Sequence, residues 1–491
     1  MLRWLLGIWC YCTVNLSLQE ILAHFNLMLE SVQPTDSIKV LLLDIAGESL
    51  DYDWPRVFPA GCPTLSLHTA CPEPLDYSFL KICLGIYSLL HINPVYQALA
   101  KKKPVSTSAT AVSPASPTSS DYADVMAAQA IANTSSPVSY VEGKVFNRFV
   151  TIWFENTNYE TALADPNFKS FAEKGIVLDK YLAVTHPSQP NYLAAVGGDY
   201  FGLDGDPFIE IPNNVSSIVD LLEDKGISWG LYQEDMPYSG YQGFEWRNQE
   251  NGADAYVRKH NPEILFDSVV TKPERLELIK NTTMFHADVA ANTLPQWMFI
   301  TPNMTSDAHD ASITVAGEWL RDFLGPYLED ENFMNNTLVL ITFDENETYA
   351  EQNRVLSILL GDAVSKDLVN TTDSNYYDHY SQIASVVANW DLHTLGRFDV
   401  GANVFNYIAE KTGDRIRSWS NGTLESRFFN YSYPGILAAK VGWAPQPAPN
   451  TNLTTLDTNR TVLPSIVEYW QGKDNGTVYQ GQLEIPDGYN H

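Results

Sequence analysis

The chain contains little cysteine. Its five cysteines all lie within the first 83 residues, at Cys10, Cys12, Cys62, Cys71 and Cys83. No disulfide can therefore join two parts of the chain beyond residue 83, which excludes a disulfide-stapled small domain for most of the sequence. A packed core must stabilise that part instead. With 491 residues, 45% of them hydrophobic and 12% aromatic, the sequence is long and apolar enough to bury one.

Basic residues are also scarce. The chain has 30 Lys+Arg against 59 Asp+Glu, for a formal net charge of -29. This balance argues against nucleic acid or an anionic membrane as a general partner, although it also fits simple solubility in acidic surroundings. A site that binds an anion would need a local positive charge, and a divalent metal ion is the obvious source.

Long hydrophobic runs are absent from the sequence. The apolar stretches at residues 1–14 and Leu80–Leu90 are too short to span a bilayer comfortably, so we expect no stable membrane span. The first stretch resembles a signal peptide, but the second is followed by Ala98-Leu99-Ala100, a small-x-small cleavage pattern. We expect residues 1–100 to be a signal or propeptide, or a mis-assigned start, with the true secretion signal in the second stretch.

Glycosylation sequons, by contrast, are abundant. Twelve Asn-x-Ser/Thr sequons lie after residue 130, at Asn133, Asn214, Asn281, Asn303, Asn335, Asn346, Asn370, Asn421, Asn430, Asn452, Asn459 and Asn475. This density favours a glycoprotein that carries N-linked glycans and is secreted, in the medium or the cell wall.

Composition divides the remainder into three parts. Residues 101–143 are rich in Ser, Thr, Pro and Ala without an apolar period, which predicts a disordered linker. In residues 144–413, apolar runs alternate with helix-like segments, which is typical of an α/β layer protein. Residues 414–491 are expected to be a loop-rich extension packed on the same domain. The expected strands are Phe149–Phe154, Ile176–Val184, Ile227–Tyr232, Gln296–Thr301, Thr337–Phe343 and Arg354–Leu360; the expected helices start at Pro166 and cover 217–225, 312–324 and 380–390.

Four expected strands end in groups typical of metal sites or nucleophilic catalysis. The groups are Glu155-Asn156, His186 to Asn191, Asn303 to Asp310 and Asp344-Glu345. In open α/β sheets the ligand crevice lies outside the carboxyl ends of the strands. One such tip is ordinary, and Glu155-Asn156 alone could be a strand cap, but four together favour a site.

The residue types suggest distinct roles. Glu155, Asn156, Asp344 and Glu345 offer hard oxygen ligands suited to one divalent ion, whether Mg, Ca, Mn or Zn. Ser188 precedes a helix-like segment, so it is either a metal-activated nucleophile or, on spacing alone more simply, an N-cap serine.

Three histidines are candidates for proton transfer or anion binding. His186 and His309 are each as compatible with a structural role, but Asp307 and Asp310 flank His309 and could orient its ring. His379 follows Asp378 before an expected helix, and a helix-start cap explains that pair equally well.

These motifs together resemble the phosphoesterase family of secreted fungal acid phosphatases, which also includes bacterial acid phosphatases and phosphatidylcholine-type phospholipases C. The resemblance runs from about Val145 to at least Trp390, and its most specific piece is His186-Pro187-Ser188-Gln189-Pro190-Asn191. It implies a three-layer, alkaline-phosphatase-like α/β/α sandwich.

The resemblance also implies residue roles. A divalent metal would be held by Glu155, Asn156, Asp344 and Glu345, with Ser188 as the metal-bound nucleophile. Asn191 would hydrogen-bond the phosphoryl oxygens, and His309 would serve as acid or phosphate ligand, assisted by Asp307 or Asp310. Related bacterial enzymes have adjacent histidines where this chain has Ala308-His309, which departs from the family pattern.

The expected reaction is hydrolysis of small phosphomonoesters through a phosphoseryl intermediate. The enzymatic alternative is a phospholipase C that acts on phosphodiester lipids, with the aromatic loop between Tyr232 and Arg258 at its mouth. The alternative from another class is a non-catalytic secreted glycoprotein on the same fold, which predicts degraded strand tips; here the tip residues are all present.

Overall fold

The computed structural model describes residues 40–43, 49–52, 116–419, 424–438, 448–473 and 476–488. The chain divides into two compact units, Met1–Ser108 and Ala109–His491. In the first unit, strands β1 (Val40–Leu43) and β2 (Ser49–Tyr52) form an antiparallel pair. The rest of the expected signal or propeptide lies outside the described residues.

The second unit is built on an eight-stranded sheet with the order β12-β4-β11-β10-β3-β9-β5-β8. Within the sheet, β11 runs antiparallel to both neighbours and the other pairs are parallel. Strands β6 and β7 form a separate antiparallel pair. The strands are β3 (Arg148–Phe154), β4 (Ile176–Leu182), β5 (Trp229–Gln233), β6 (Glu245–Arg247), β7 (Asp254–Val257), β8 (Ile279–Asn281), β9 (Trp297–Thr301), β10 (Thr337–Phe343), β11 (Ser357–Leu360) and β12 (Thr371–Asp378).

Helices connect and cover these strands. They are α1 (Tyr122–Gln129), α2 (Tyr159–Ala164), α3 (Pro166–Ala172), α4 (Ser188–Gly197), α5 (Ile218–Asp224), α6 (Asp267–Val270), α7 (Pro273–Leu276), α8 (Thr282–Ala291), α9 (Ile313–Leu324), α10 (Glu331–Met334), α11 (Tyr380–Trp390), α12 (Asn406–Thr412) and α13 (Pro464–Trp470). Helix α3 begins where the sequence predicts, because the Asp165 carboxylate caps it and Pro166 occupies its first turn.

Strand β3 shows that helices cover both faces of the sheet. Neighbouring side chains on a strand point to opposite faces. Trp153 packs on Tyr192 of α4, with ring centroids 4.9 Å apart, whereas Phe154 packs on Phe168 of α3 and Trp319 of α9. Helix α4 also contacts α11, and α3 contacts α9. The expected three-layer α/β/α sandwich is therefore confirmed.

The register of β3 and β10 creates the site. The two parallel strands pair from Thr337 with Arg148 to Phe343 with Phe154, so they end at the same level. Glu155 and Asp344, the next residues, are consequently neighbours, although 189 positions separate them in sequence. Backbone hydrogen bonds extend this pairing, since the Asp344 amide donates to the Phe154 carbonyl.

The linker expected to be disordered differs from the structure in one part. Helix α1 lies within residues 101–143, with Asp121 capping its N-terminus and Val125 buried. Tyr122 stacks on Trp246. An aromatic anchor and a cap order this segment despite its small, polar composition.

Sequence patterns missed β8, β12 and α8. Strand β12 carries a Thr- and Asp-rich sequence whose first half is partly exposed, so its pattern lacks the apolar run of a buried strand. Beyond residue 413, buried side chains such as Phe429, Tyr433 and Tyr479 join the main core. Among the described residues, no helix combines the length and apolar character needed to cross a membrane.

Candidate active site

Glu155 is the centre of the site. Its carboxylate is fully buried directly after β3, and three side chains converge on it. The Ser188 hydroxyl donates to Oε2 at 3.0 Å, and the Tyr192 hydroxyl donates to Oε1 at 2.7 Å. His260 Nε2 lies 3.0 Å from the same Oε1. A buried carboxylate with this many partners is a held and oriented group, so the strand-cap interpretation of Glu155 is too simple.

Helix α4 presents the nucleophile candidate to Glu155. Ser188 is the first helical residue, and Pro187 precedes the helix. Positions i, i+3 and i+4 share a helix face, which sets Ser188, Asn191 and Tyr192 on one side. Because the Ser188 hydroxyl donates to Glu155 and caps no backbone amide, the N-cap interpretation of Ser188 is wrong.

The side chain of Asn191 binds the loop before α4. Its Oδ1 accepts from the amides of Val184 and Thr185, and its Nδ2 donates to the carbonyls of Thr185 and Pro187. These contacts hold the loop that delivers Ser188. Asn191 thus has a positioning role in this geometry, and its amide is already largely engaged within the protein.

Two buried oxygens without partners belong to the residues that follow β3 and β10. Asn156 Oδ1 and Asp344 Oδ2 are buried and have no hydrogen-bond partner among the described residues. The other oxygen of Asp344 accepts from the amides of Asn156, at 3.3 Å, and Glu345, at 2.7 Å. Buried oxygens of this type are normally satisfied, and their carboxylate and amide chemistry suits a hard cation.

A second group of possible ligands shares Glu155. One atom each of Glu155, His260 and Asp307 lies within 4.8 Å of the others, and all three residues are buried. His260 Nδ1 is 3.4 Å from Asp307 Oδ2. Neither ring nitrogen of His260 is aligned for a hydrogen bond with the carboxylate it faces. The donors would suit a metal ion, although a charged imidazole between two carboxylates fits the same geometry.

The carboxylates are too crowded to ionise freely. Burial raises the pKa of Asp344 well above its usual value, and the neighbouring Glu155 raises it further. Burial also raises the pKa of Glu345, and Asp344 adds to this effect. Glu155 differs: burial would raise its pKa, but His260, Lys259 and His309 together outweigh burial and lower it. A divalent cation would relieve this repulsion and let all three ionise.

His186 pairs with Glu345. Its Nδ1 lies 2.8 Å from Glu345 Oε2, an ion-pair distance without hydrogen-bond alignment, and its ring stacks on Tyr349. Burial lowers the pKa of His186 to about 4. A neutral imidazole at this position supports the loop, and it is poorly suited to donate a proton to a leaving group at pH 5.

His309 lies in a partly exposed turn. Its Nδ1 is 2.8 Å from Asp310 Oδ1, and its backbone amide donates to Asp307 Oδ1 at 2.8 Å. Its Nε2 faces Lys259 Nζ at 3.5 Å. Ala308 has a φ of 84°, a strained value for a residue with a Cβ. The structure therefore brings Asp307, His309 and Asp310 together, with the His309 ring close to a cation.

His379 packs against the end of β10. It is fully buried, with Nε2 2.7 Å from the Asp344 carbonyl and its ring beside Trp153. Burial lowers its pKa to about 3, so the imidazole is neutral and is poorly suited to act as a general acid. Helix α11 begins immediately afterwards, and Asp378 accepts from the Tyr380 amide. The capping interpretation of this pair describes Asp378 well.

Sequence reasoning missed Tyr192, Lys259 and His260. Tyr192 could have been found from its i+4 spacing to Ser188. Lys259 and His260 belong to a short 3-10 helix, Arg258–His260, after β7. Their only signal in the sequence is a run of three basic residues in a strongly acidic chain. Burial alone would lower the pKa of Lys259. The carboxylates of Glu155, Asp206 and Asp344 outweigh burial and raise that pKa, which keeps the ammonium charged.

Two sequons lie beside these residues. Asn346 is buried, and its Nδ2 donates to the carbonyls of Thr348 and Gln352. Asn303 is partly buried, and its Nδ2 donates to Asp235 at 2.7 Å. The folded structure leaves no room for a glycan on the Asn346 amide.

Sequence comparison relates the chain to known phosphoesterases. The Phosphoesterase family model matches residues 156–393. An acid phosphatase of Aspergillus fumigatus is 53% identical over 304 residues, which cover 62% of this chain and 67% of that protein. A probable acid phosphatase of Kluyveromyces lactis is 50% identical, over 72% of this chain and 82% of that protein. A crystal structure of an alkaline phosphatase superfamily protein from Vibrio parahaemolyticus aligns with a TM-score of 0.33 and 8% identity, over 54% of this chain and 73% of that chain.

Proposed function

The chain belongs to the phosphoesterase family, and we propose that it is an acid phosphatase that hydrolyses small phosphomonoesters with Ser188 as nucleophile. One observation carries the proposal: the Ser188 hydroxyl donates to the buried Glu155 carboxylate at 3.0 Å, and Asn156 and Asp344, at the same strand tips, each keep a buried oxygen without a partner among the described residues. A hydroxyl held against an ionised carboxylate at the start of a helix is oriented for attack on an anion.

The first step forms the bond between Ser188 Oγ and phosphorus and breaks the bond from phosphorus to the leaving oxygen. As Oγ attacks, its proton leaves along the hydrogen bond to Glu155 Oε2, the acceptor it already faces, and passes on to water. Tyr192 and His260 hold Glu155 in that orientation. Water then attacks the phosphoserine, the Oγ–phosphorus bond breaks, and Oγ takes up a proton from water by the same route.

His309 protonates the leaving alcohol. Its Nδ1 is engaged by Asp310 at 2.8 Å, so Nε2 would serve the leaving oxygen, in exchange for its 3.5 Å contact with Lys259 Nζ. Its side chain is also more exposed than those of the other site histidines, at 27%, against 1% for His186 and 2% for His260, so a substrate can reach it. In the second step, neutral His309 takes a proton from the attacking water, which restores the starting state.

The metal site uses oxygen ligands from the strand tips. Glu155, Asn156 and Asp344 would hold one divalent ion, and Glu345 lies beside them with one oxygen towards His186. When bound, such an ion would lower the pKa of the Ser188 hydroxyl and neutralise charge on the phosphoryl oxygens. The alternative set of Glu155, His260 and Asp307 shares only Glu155 with it.

Two assays test this function. We expect the enzyme to hydrolyse p-nitrophenyl phosphate at acid pH and a phosphatidylcholine analogue at least a hundredfold more slowly. Preference for the analogue would favour the phospholipase C alternative, and no turnover of either would favour the non-catalytic one. Dialysis against a chelator should abolish turnover, and one divalent metal should restore it; full activity in chelator would contradict the metal site.

The sequons and the apolar stretch before Ala98 support secretion as a glycoprotein. The exposed sequons Asn133, Asn335, Asn370, Asn452 and Asn459 have room for glycans. Deglycosylation of protein from the culture medium, followed by mass measurement, tests both points.

A further inference from the structure

Lys259 is the central residue of a run of three basic residues, and the side chains of its two neighbours already contact other groups of the protein. The guanidinium of Arg258 donates to the carbonyls of Gln242, Ile209 and Ile264. His260 faces the interior carboxylate of Glu155. Lys259 keeps 15% of its side chain exposed, so among the three it is the one that a solute can reach.

The ammonium of Lys259 lies between two features of the proposed site. Its Nζ is 3.3 Å from Asp206 Oδ2 and 3.5 Å from His309 Nε2. The other oxygen of Asp206 accepts from the Gln189 amide at 2.9 Å, directly after Ser188. One carboxylate therefore links Lys259 to the first turn of α4. An ammonium has three N–H donors, and the contacts with Asp206 and His309 occupy at most two of them.

The positive charge of Lys259 lies among carboxylates that would repel an anionic substrate. Glu155, Asp206 and Asp344 all act electrostatically on Lys259, and a phosphate dianion would be repelled by the same three carboxylates. His260, Lys259 and His309 act on Glu155 in return. Of these three side chains, Lys259 is the one that stays protonated, and therefore positively charged, at both neutral and acid pH. In a protein of net charge -29, a site that binds an anion needs such a permanently charged cationic group.

We propose that Lys259 binds the non-bridging oxygens of the substrate phosphoryl group and of product phosphate, with Asp206 as a competing carboxylate that occupies the ammonium between turnovers. The proposal rests on the proposed phosphomonoester hydrolysis and adds a substrate-binding residue to it. Phosphate enters by exchanging for Asp206 on the ammonium, which is a charge-assisted contact in both states.

The test compares Lys259→Met, Lys259→Arg and Asp206→Asn in the metal-loaded enzyme. Loss of a charge-assisted contact predicts about a tenfold to hundredfold rise in the inhibition constant of inorganic phosphate, and in KM, for Lys259→Met. Lys259→Arg should stay within about threefold, because it keeps the charge. Asp206→Asn should leave the inhibition constant unchanged or lower it, because the competitor is weakened.

An unchanged inhibition constant in Lys259→Met would overturn the proposal. So would a rise in Asp206→Asn as large as that in Lys259→Met, because the ion pair would then serve only to hold the loop. If Lys259→Met does not fold, a rise of about tenfold or more in the inhibition constant of Asp206→Asn overturns the proposal by itself, and an unchanged or lower constant supports it. Calorimetric titration of inorganic phosphate into each variant measures binding without turnover, so failure of the proposed hydrolysis and failure of Lys259 as phosphate ligand are distinguishable.

Discussion

Replacing Tyr192 with phenylalanine tests whether the hydrogen bonds around Glu155 set the reactivity of Ser188. Tyr192 is fully buried, and its hydroxyl donates to Glu155 Oε1 at 2.7 Å. Its ring lies between Trp153 and His260, with centroids 4.9 Å and 5.0 Å away. Phenylalanine keeps these ring contacts and removes the hydroxyl alone. The substitution therefore isolates one hydrogen bond to the carboxylate that orients the nucleophile.

The expected loss follows from the strength of that bond. A hydrogen bond to a charged group contributes about 1.5–3 kcal/mol. If Glu155 must stay oriented in the transition state, kcat/KM falls by about tenfold to a hundredfold, since 1.4 kcal/mol is about a factor of ten. Unfolding should become easier by a similar energy, because one oxygen of a buried carboxylate loses a donor.

Tyr232→Phe is the matched control. Tyr232 is also buried, and its hydroxyl donates to Asp288 Oδ2 at 2.7 Å, at the β5 side of the sheet. The two variants should lose comparable stability in urea unfolding, but Tyr232→Phe should keep wild-type kcat/KM for p-nitrophenyl phosphate. The reasoning is refuted if Tyr192→Phe keeps full activity, or if both variants lose activity equally.

Further predictions concern pH and glycosylation. Burial raises the pKa of Glu263 to about 8, so this group stabilises the fold fully below its unfolded pKa of about 4.3 and loses that contribution as pH rises towards 8, at up to about 1.4 kcal/mol per pH unit. Glu263→Gln should flatten the fall of Tm between pH 5 and 8, and an unchanged fall would contradict the shift. Asn346 and Asn430 are buried, so glycopeptide mapping should find both sequons empty; a glycan on Asn346 would contradict the structure around β10.

Much of the fold was predictable because its strands carry unbroken apolar runs. The strand Thr337–Phe343 has the predicted bounds, and β3 differs by one residue. The predicted strand from Arg354 begins instead at Ser357. Such runs predict a buried strand whatever the tertiary context. Strand β12 has a polar sequence instead, and it is ordered by its pairing with β4.

The site was predictable only where local sequence carries the chemistry. Glu155 and Asp344 follow apolar strands, so both could be identified, and the parallel register brings them together. His260 and Lys259 reach the site from a short turn far along the chain, and no local pattern connects them with Ser188. The same limit applies to His379, because its full burial beneath Asp344 depends on packing and cannot be read from Asp378-His379 alone.

The most direct test of the central claim is to identify the covalent intermediate. Enzyme that is turning over a ³²P-labelled phosphomonoester is quenched in acid, digested, and the labelled peptide is sequenced. We predict one labelled residue, Ser188, and no label or turnover in Ser188→Ala. Steady turnover by Ser188→Ala, or label on a different residue of the wild-type enzyme, would contradict the account.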